Sequence, residues 1–233
     1  MIEYIWLDYK TPLLSQLPQN FKSAAFLLHP FEKMPDGWEE CRMKNKQERF
    51  FPTDEELLSL GNPVTWEEVR KASGLGSLEE VAIALQTFIG ALNKKYVRED
   101  LREKLTSYVN RNLYLPIEDV TSLFLVEDLK KVLASRGAKS LIYSDPILNI
   151  NGTLEIATVT PMAMRKLAYK ELMIADENYD FAFMNKFDSF ETILMSKEEN
   201  IGNIIEAVNL EAIICDSNTS IDWYFDALRR KPI

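Results

Sequence analysis

The chain has 233 residues, 46% apolar and 27% charged, with a formal charge of −9. This is the composition of an ordinary globular protein, long enough to bury a core as one large domain or two small ones. No run approaches the roughly 18 apolar residues of a transmembrane helix, and Met1-Ile2-Glu3-Tyr4 has neither the basic leader nor the apolar run of a secretory signal.

The first third is irregular and punctuated by proline. Residues 2–7 and 23–28 read as short strands, the second ended by His29-Pro30, and Pro35-Asp36-Gly37 reads as a turn. From Thr53 the pattern becomes helical. Thr53…Glu56, Thr65…Glu68 and Ser77…Glu80 have the capping-box form, in which hydroxyl and carboxylate satisfy orphan amides reciprocally, and Gly61 and Gly74 suit the stops. Leu78, Val81, Ala82, Leu85, Phe88, Ile89 and Leu92 form an apolar stripe on a helix over 77–93, and a mixed-charge helix follows over 98–111.

A helix over 127–136 stops at Gly137. Strands are then expected over 139–143, 153–159, 180–185, 191–195 and 211–215, with helices over 161–173, 197–209 and 221–230. The class is α+β: a helical N-terminal half packed with a largely antiparallel sheet and helices in the C-terminal half. A single compact domain over 1–233 is expected, with Leu115-Pro116 as the best internal boundary, separating a mostly helical 1–116 from an α+β 117–233.

The charge is local. Between Glu171 and Asp226 lie thirteen acidic residues against Lys186 and Lys197, while the rest of the chain holds 25 basic and 23 acidic. Phe181, Phe183, Phe187, Phe190, Ile193 and Trp223 lace this block, so it folds and presents an acidic solvent face, which repels nucleic acid and attracts cations or basic proteins. Asp176, Glu177, Asp180, Asp188 and Glu191 are the candidate partner-binding residues. Paired carboxylates can also do acid–base work or hold magnesium, but charge runs are more often solvated faces.

His29 is the only histidine, so a nucleophile–histidine pair must be built on it and multi-histidine zinc chemistry is excluded. The loop Cys215-Asp216-Ser217-Asn218-Thr219-Ser220-Ile221-Asp222 could gather Asp216, Asn218 and Asp222 around a cation or phosphate, although the same residue types are ordinary turn and N-cap formers. His29, Asp216 and Asp222 are therefore the weak catalytic candidates. No metal set and no cofactor motif is present: Gly74-Leu75-Gly76 lacks a third glycine and lies between helices. The segment 65–85 has a helix-turn-helix outline, but Glu79-Glu80 would open its recognition helix and oppose phosphate, so an ordinary helical hairpin is expected. The four tryptophans read as packing residues. Cys41 and Cys215 lack paired spacing and read as reduced thiols of a cytoplasmic protein.

Phe21-Lys22-Ser23-Ala24-Ala25-Phe26-Leu27-Leu28-His29-Pro30-Phe31 with Met34-Pro35-Asp36-Gly37-Trp38 resembles the N-terminal part of domain-of-unknown-function family 2711 of Bacillus-type bacteria. Asp188-Ser189-Phe190-Glu191 and Cys215-Asp216…Thr219…Trp223 are similar to its C-terminal part. The resemblance implies a bacterial cytoplasmic protein of unassigned role and brings no catalytic residues. The expected role is a non-enzymatic interaction protein of inhibitor or immunity type, with a basic protein partner, no nucleic acid, no membrane and room for a homodimer. The alternative is a small-molecule or metal-dependent enzyme using carboxylates near Asp216 and Asp222.

Overall fold

A computed structural model of the chain describes residues 3–42, 49–167 and 171–226. It divides into two compact units, Met1–His29 with Ile117–Trp223 and Pro30–Pro116 with Tyr224–Ile233.

The first unit is built on a seven-stranded sheet. Its strands are β1 (Ser23–Leu28), β5 (Ser140–Asp145), β6 (Ile150–Glu155), β7 (Met173–Asp176), β8 (Phe181–Asn185), β9 (Glu191–Ser196) and β10 (Ala212–Ile214), in the order β10-β1-β9-β8-β7-β5-β6. Every neighbouring pair is antiparallel. The unbroken apolar run Ala24 to Leu28 suits an interior strand, and all six β1 side chains are buried. Register aligns Ala25, Leu194, Phe183, Ile174 and Tyr143 in a row across five strands. On that face pack α5 (Val126–Ala134), α6 (Pro161–Leu167) and α7 (Gly202–Ala207), through Leu129, Leu133, Met164 and Ile205. Full burial of a residue such as Phe183 contributes about 2–3 kcal/mol.

Among the described residues the second unit joins a three-stranded sheet to four helices. Its strands are β2 (Phe31–Lys33), β3 (Asn62–Val64) and β4 (Leu113–Tyr114), in the order β3-β2-β4, with Pro63 on an edge strand where its missing N–H costs nothing. The helices are α1 (Asp54–Leu60), α2 (Trp66–Ser73), α3 (Leu78–Phe88) and α4 (Glu99–Tyr108), and Trp66 packs edge-on to Phe31 with centroids 6.5 Å apart. Thr53–Glu56 and Thr65–Glu68 close full capping boxes. Ser77 caps Glu80 N–H, but the Glu80 carboxylate takes the amide of Gly76 instead of Ser77. Gly74, at φ 71°, closes α2 in the left-handed conformation that glycine adopts without strain.

The expected division into a helical N-terminal half and a sheet-bearing C-terminal half is corrected. The class is α+β, but among the described residues the N-terminal half contributes β1 to β4, one of them interior to the large sheet, and strands dominate the C-terminal half. Residues 3–8 form no strand; Asp8 and Gln16 instead bond the segment into a local turn before a 3₁₀ turn at Leu13–Gln16. Of the helix expected over 161–173, Pro161–Leu167 is helical and residues 168–170 lie outside the described residues, while Met173–Asp176 is a buried interior strand that the apolar pattern had merged with it. Residues 227–230 of the expected terminal helix lie outside the described residues; Trp223–Phe225 is a 3₁₀ turn. Among the described residues no helix is long and apolar enough to cross a membrane.

Candidate functional site

At one end of the first unit's sheet, β1 stops at His29, β8 at Asn185 and β9 begins at Glu191, and these ends collect a buried polar network. His29 is 1% exposed. The Ile117 carbonyl, 2.8 Å from Nδ1, can only accept, so Nδ1 carries the proton and Nε2 accepts from Thr192 Oγ1 at 2.9 Å. Burial pushes the imidazole pKa down to about 4, opposed by that carbonyl and by Glu191. Thr121 Oγ1 donates to Asn185 Oδ1 at 2.6 Å and lies 3.5 Å from Thr192 Oγ1. Among the described residues the Ser122 hydroxyl beside it is buried without a partner.

Next along β9, Glu191 is buried with its charge answered. Its Oε1 accepts the Trp223 indole N–H at 3.0 Å, and its Oε2 accepts the Ser189 hydroxyl and faces Lys186 Nζ at 3.6 Å. Lys186 also donates to the Ile221 carbonyl at 3.1 Å and lies 5.7 Å from the Phe26 ring centroid. A carboxylate and an ammonium survive burial only when paired and hydrogen-bonded in this way. The network ties the β8–β9 turn to the segment 221–223 and holds the ends of three strands in register.

Near this network stand exposed aromatic rings and several carboxylates. Trp6 is 68%, Phe187 49% and Tyr9 46% exposed. Tyr4 donates its hydroxyl to the Asn185 carbonyl at 2.8 Å and stacks edge-on with Trp6 at 5.0 Å, which lays the N-terminal segment along the β8–β9 turn. The Tyr9 hydroxyl is raised above its ordinary pKa by partial burial and then by the carboxylates of Asp222, Asp188 and Glu191. Burial, followed by Glu171 and Tyr9, raises Tyr4 in the same way. Asp188 is exposed at φ 48°, and its N–H donates to Asp119 Oδ1 at 2.7 Å.

The five expected partner-binding carboxylates are thus divided. Asp176 is fully buried, accepting the amides of Asn178 and Phe181 at 2.9 and 2.6 Å to close the β7–β8 turn. Glu177 is exposed and accepts the Lys139 amide, which lowers its pKa. Asp180 pairs with Lys197 at 3.3 Å. These three stand at one end of β8, while Asp188 and Glu191 stand at the other, about 16 Å away along five extended residues. Only Asp188 of the five lies on the aromatic surface; Glu191 lies beneath it. At the far end, Arg136, Asp180, Phe181, Lys197 and Glu198 line a cleft of about 250 Å³ in which the charges pair with each other.

The weak catalytic candidates are placed as follows. His29 and Thr192 have the spacing of a base and a nucleophile, but both are buried, and Nδ1 meets a backbone carbonyl where a catalytic triad has a carboxylate. Asp216 accepts from Thr219 Oγ1 and Asn218 N–H, each at 2.8 Å, and closes its own loop. Asp222, half-buried, joins the surface around Tyr9. Among the described residues no group of three or more His, Cys, Asp or Glu is placed to hold a metal ion. Sequence reasoning missed Trp6, Tyr9 and Asp119. The pairing of Trp6 and Tyr9 was the available signal, but residues 2–7 read as a strand.

A family model described as "Protein of unknown function (DUF2711)" matches residues 9–225. The "Uncharacterized protein YwbB" of Bacillus subtilis (strain 168) is 40% identical over 224 residues, covering 96% of this chain and all of that one. No solved structure matches the chain.

Proposed function

The chain belongs to the family described as protein of unknown function (DUF2711), and from that premise we propose that it is a non-enzymatic interaction protein whose acidic surface binds a basic partner. The observation that carries this reading is that the carboxylates of Asp222 and Asp188 act on the Tyr9 hydroxyl while the rings of Trp6, Tyr9 and Phe187 are exposed. Aromatic rings supply contact area and faces for cations, and the carboxylates supply the attractive field. The first unit holds 20 acidic and 11 basic residues and the second 16 of each, so the whole charge of −9 lies on the unit that carries this surface. An inhibitor or immunity protein acting in the cytoplasm on a cationic groove is the concrete form, and Cys41 and Cys215, neither of them in a disulfide, fit a reducing compartment. Carboxylate catalysis at Asp216 and Asp222 has less support, because the Asp216 carboxylate is engaged within its own loop.

The test is association with an arginine-rich peptide, followed by stopped-flow fluorescence across a salt series. Asp222→Lys combined with Asp188→Asn should slow association at low salt, with the difference shrinking as salt rises. Asn is chosen at 188 because it tolerates the left-handed backbone there. Equal rates for the two proteins at low salt would refute the reading.

A further inference from the structure

The large sheet of the first unit ends on one side in an open edge. Among the described residues, the other sheet edges are blunted: β10 and β4 span three and two residues, and β3 spans three with Pro63 among them. Strand β6 is different. It runs six residues, Ile150–Glu155, in unbroken register with β5, and has no proline, lysine or bulge to turn a neighbour away.

The register fixes which groups this edge offers. The Ile156 amide donates to the Lys139 carbonyl at 2.8 Å, so by antiparallel alternation the residues bonded to β5 are Leu154, Gly152 and Ile150. The backbone N–H and C=O groups of Asn151, Thr153 and Glu155 therefore point away from the sheet, and their side chains are exposed. Of these backbone groups only the Glu155 carbonyl has a partner among the described residues, the Thr158 hydroxyl at 3.0 Å. The adjoining hairpin tip is apolar and held in place. The buried Asp145 carboxylate accepts the amides of Ile147 and Leu148 at 2.8 and 2.9 Å, while Ile147, Leu148 and Ile150 are 62%, 53% and 43% exposed. Clustered apolar exposure of this kind belongs to contact surfaces.

We infer that β6 pairs antiparallel with the β6 of a second copy of this chain, joining the two large sheets into one. The occupant follows from the strand's own residues. The register that engages all three outward-facing residues of both copies is centred on Thr153; it sets the two threonines opposite each other and each Asn151 opposite a Glu155. Hydroxyl meets hydroxyl, carboxamide meets carboxylate, and the one charged residue of the strand does not face itself. An extended peptide from another protein would use the backbone groups alone, without these matched pairs. The two-fold axis stands perpendicular to the sheet, so the contact closes on itself and leaves this edge unavailable to further copies. Each apolar tip then passes beside the 3₁₀ turn Ile156–Thr158 of the other copy and leaves solvent. The contact uses none of the residues assigned to the basic partner.

Sedimentation velocity of the full chain over a concentration series, with residue-resolved amide hydrogen exchange, tests this. Wild type should dimerise as concentration rises, and protection of the amides of Asn151, Thr153 and Glu155 should appear in step. Thr153→Lys sets two ammonium groups face to face and should weaken the dimer by on the order of tenfold or more. Thr153→Pro removes an outward amide and no bond to β5, and should have the same effect. Asn151→Lys should instead tighten the dimer severalfold, because each new ammonium meets a Glu155, and adding Glu155→Lys should abolish that gain. Thermal melts check that each variant is folded. A wild type that stays monomeric overturns the inference, as does a dimer that folded Thr153→Lys and Thr153→Pro leave unchanged or that Asn151→Lys weakens. A monomer whose three amides become protected only when another protein is added also overturns it and gives the edge to an extended segment of that protein.

Discussion

Trp223 donates its indole N–H to Glu191 Oε1 at 3.0 Å, across 32 residues of chain, so the last described segment of the first unit is bonded to the opening residue of strand β9. The same carboxylate answers Lys186 and Ser189. Removing any one partner therefore leaves buried polarity behind.

Glu191→Ala should destabilise the protein by about 3–5 kcal/mol, because it strands the Lys186 ammonium in the interior. Trp223→Phe, which takes away one donor and keeps most of the ring, should cost about 1–3 kcal/mol. Lys186→Met combined with Glu191→Leu should recover much of the loss. Urea denaturation of the four proteins checks the order, and a double variant less stable than Glu191→Ala would contradict it.

The buried histidine gives stability a defined pH dependence. Unfolded, His29 takes a proton near pH 6.5; folded, it does so only near 4. The unfolded state therefore binds more protons between those values, and the contribution present above about pH 6.5 is lost as pH falls toward 4, to a total of about 3 kcal/mol. Carboxylates titrate in part of the same window, so the measurable quantity is the difference between wild type and His29→Gln. The stability gap between the two should narrow by about that amount from pH 7 to pH 4. A constant gap would mean that the folded imidazole titrates normally.

Gly152 on β6 lies under the ring of Tyr143, its cross-strand neighbour on β5. A Cβ added there would sit 2.6 Å from Tyr143 Oη and 2.8 Å from Cζ. Gly152→Ala should displace the ring and cost about 1 kcal/mol. Tyr143→Phe should not relieve the clash, since Cζ remains, whereas Tyr143→Ala should. Thermal melts of the single and double variants read this coupling.

The helix caps should rank by their reciprocity. Thr65→Ala breaks a box in which Glu68 also bonds the Thr65 amide at 2.8 Å, and should cost about 1–2 kcal/mol. Ser77→Ala breaks a single 3.3 Å bond, since Glu80 serves Gly76, and should cost less. The difference in denaturant midpoint between the two variants measures it.

Local rules were legible in the chain wherever the physics is local. The helix starts at Thr53, Thr65 and Ser77 follow from a hydroxyl and a carboxylate three residues apart. Strand β1 follows from an apolar run too short for a helix and closed by His29-Pro30. Strands β2, β3 and β4 carried no comparable mark, because two or three residues next to a proline or a turn have no period to detect. Strand β7 was hidden for a related reason: Met173-Ile174-Ala175 continues an apolar stretch equally fit for a helix end, and its pairing with β5 and β8 makes it a strand.

The acidic character of residues 171–226 was determined by sequence alone, since charge is a sum over residues and needs no coordinates. Family membership and the α+β class were equally within its reach. Which carboxylates face solvent was decided only by tertiary structure. Asp176 and Glu191 are chemically the same kind of group as Asp188, yet one closes a turn, one is buried against Lys186 and Trp223, and only the third reaches the surface with Tyr9. Burial and hydrogen-bond partners depend on contacts between residues far apart in the chain. That is why Trp6, Tyr9 and Asp188, distant in sequence, share one surface, while Asp180 and Asp188, eight positions apart, stand at opposite ends of a strand.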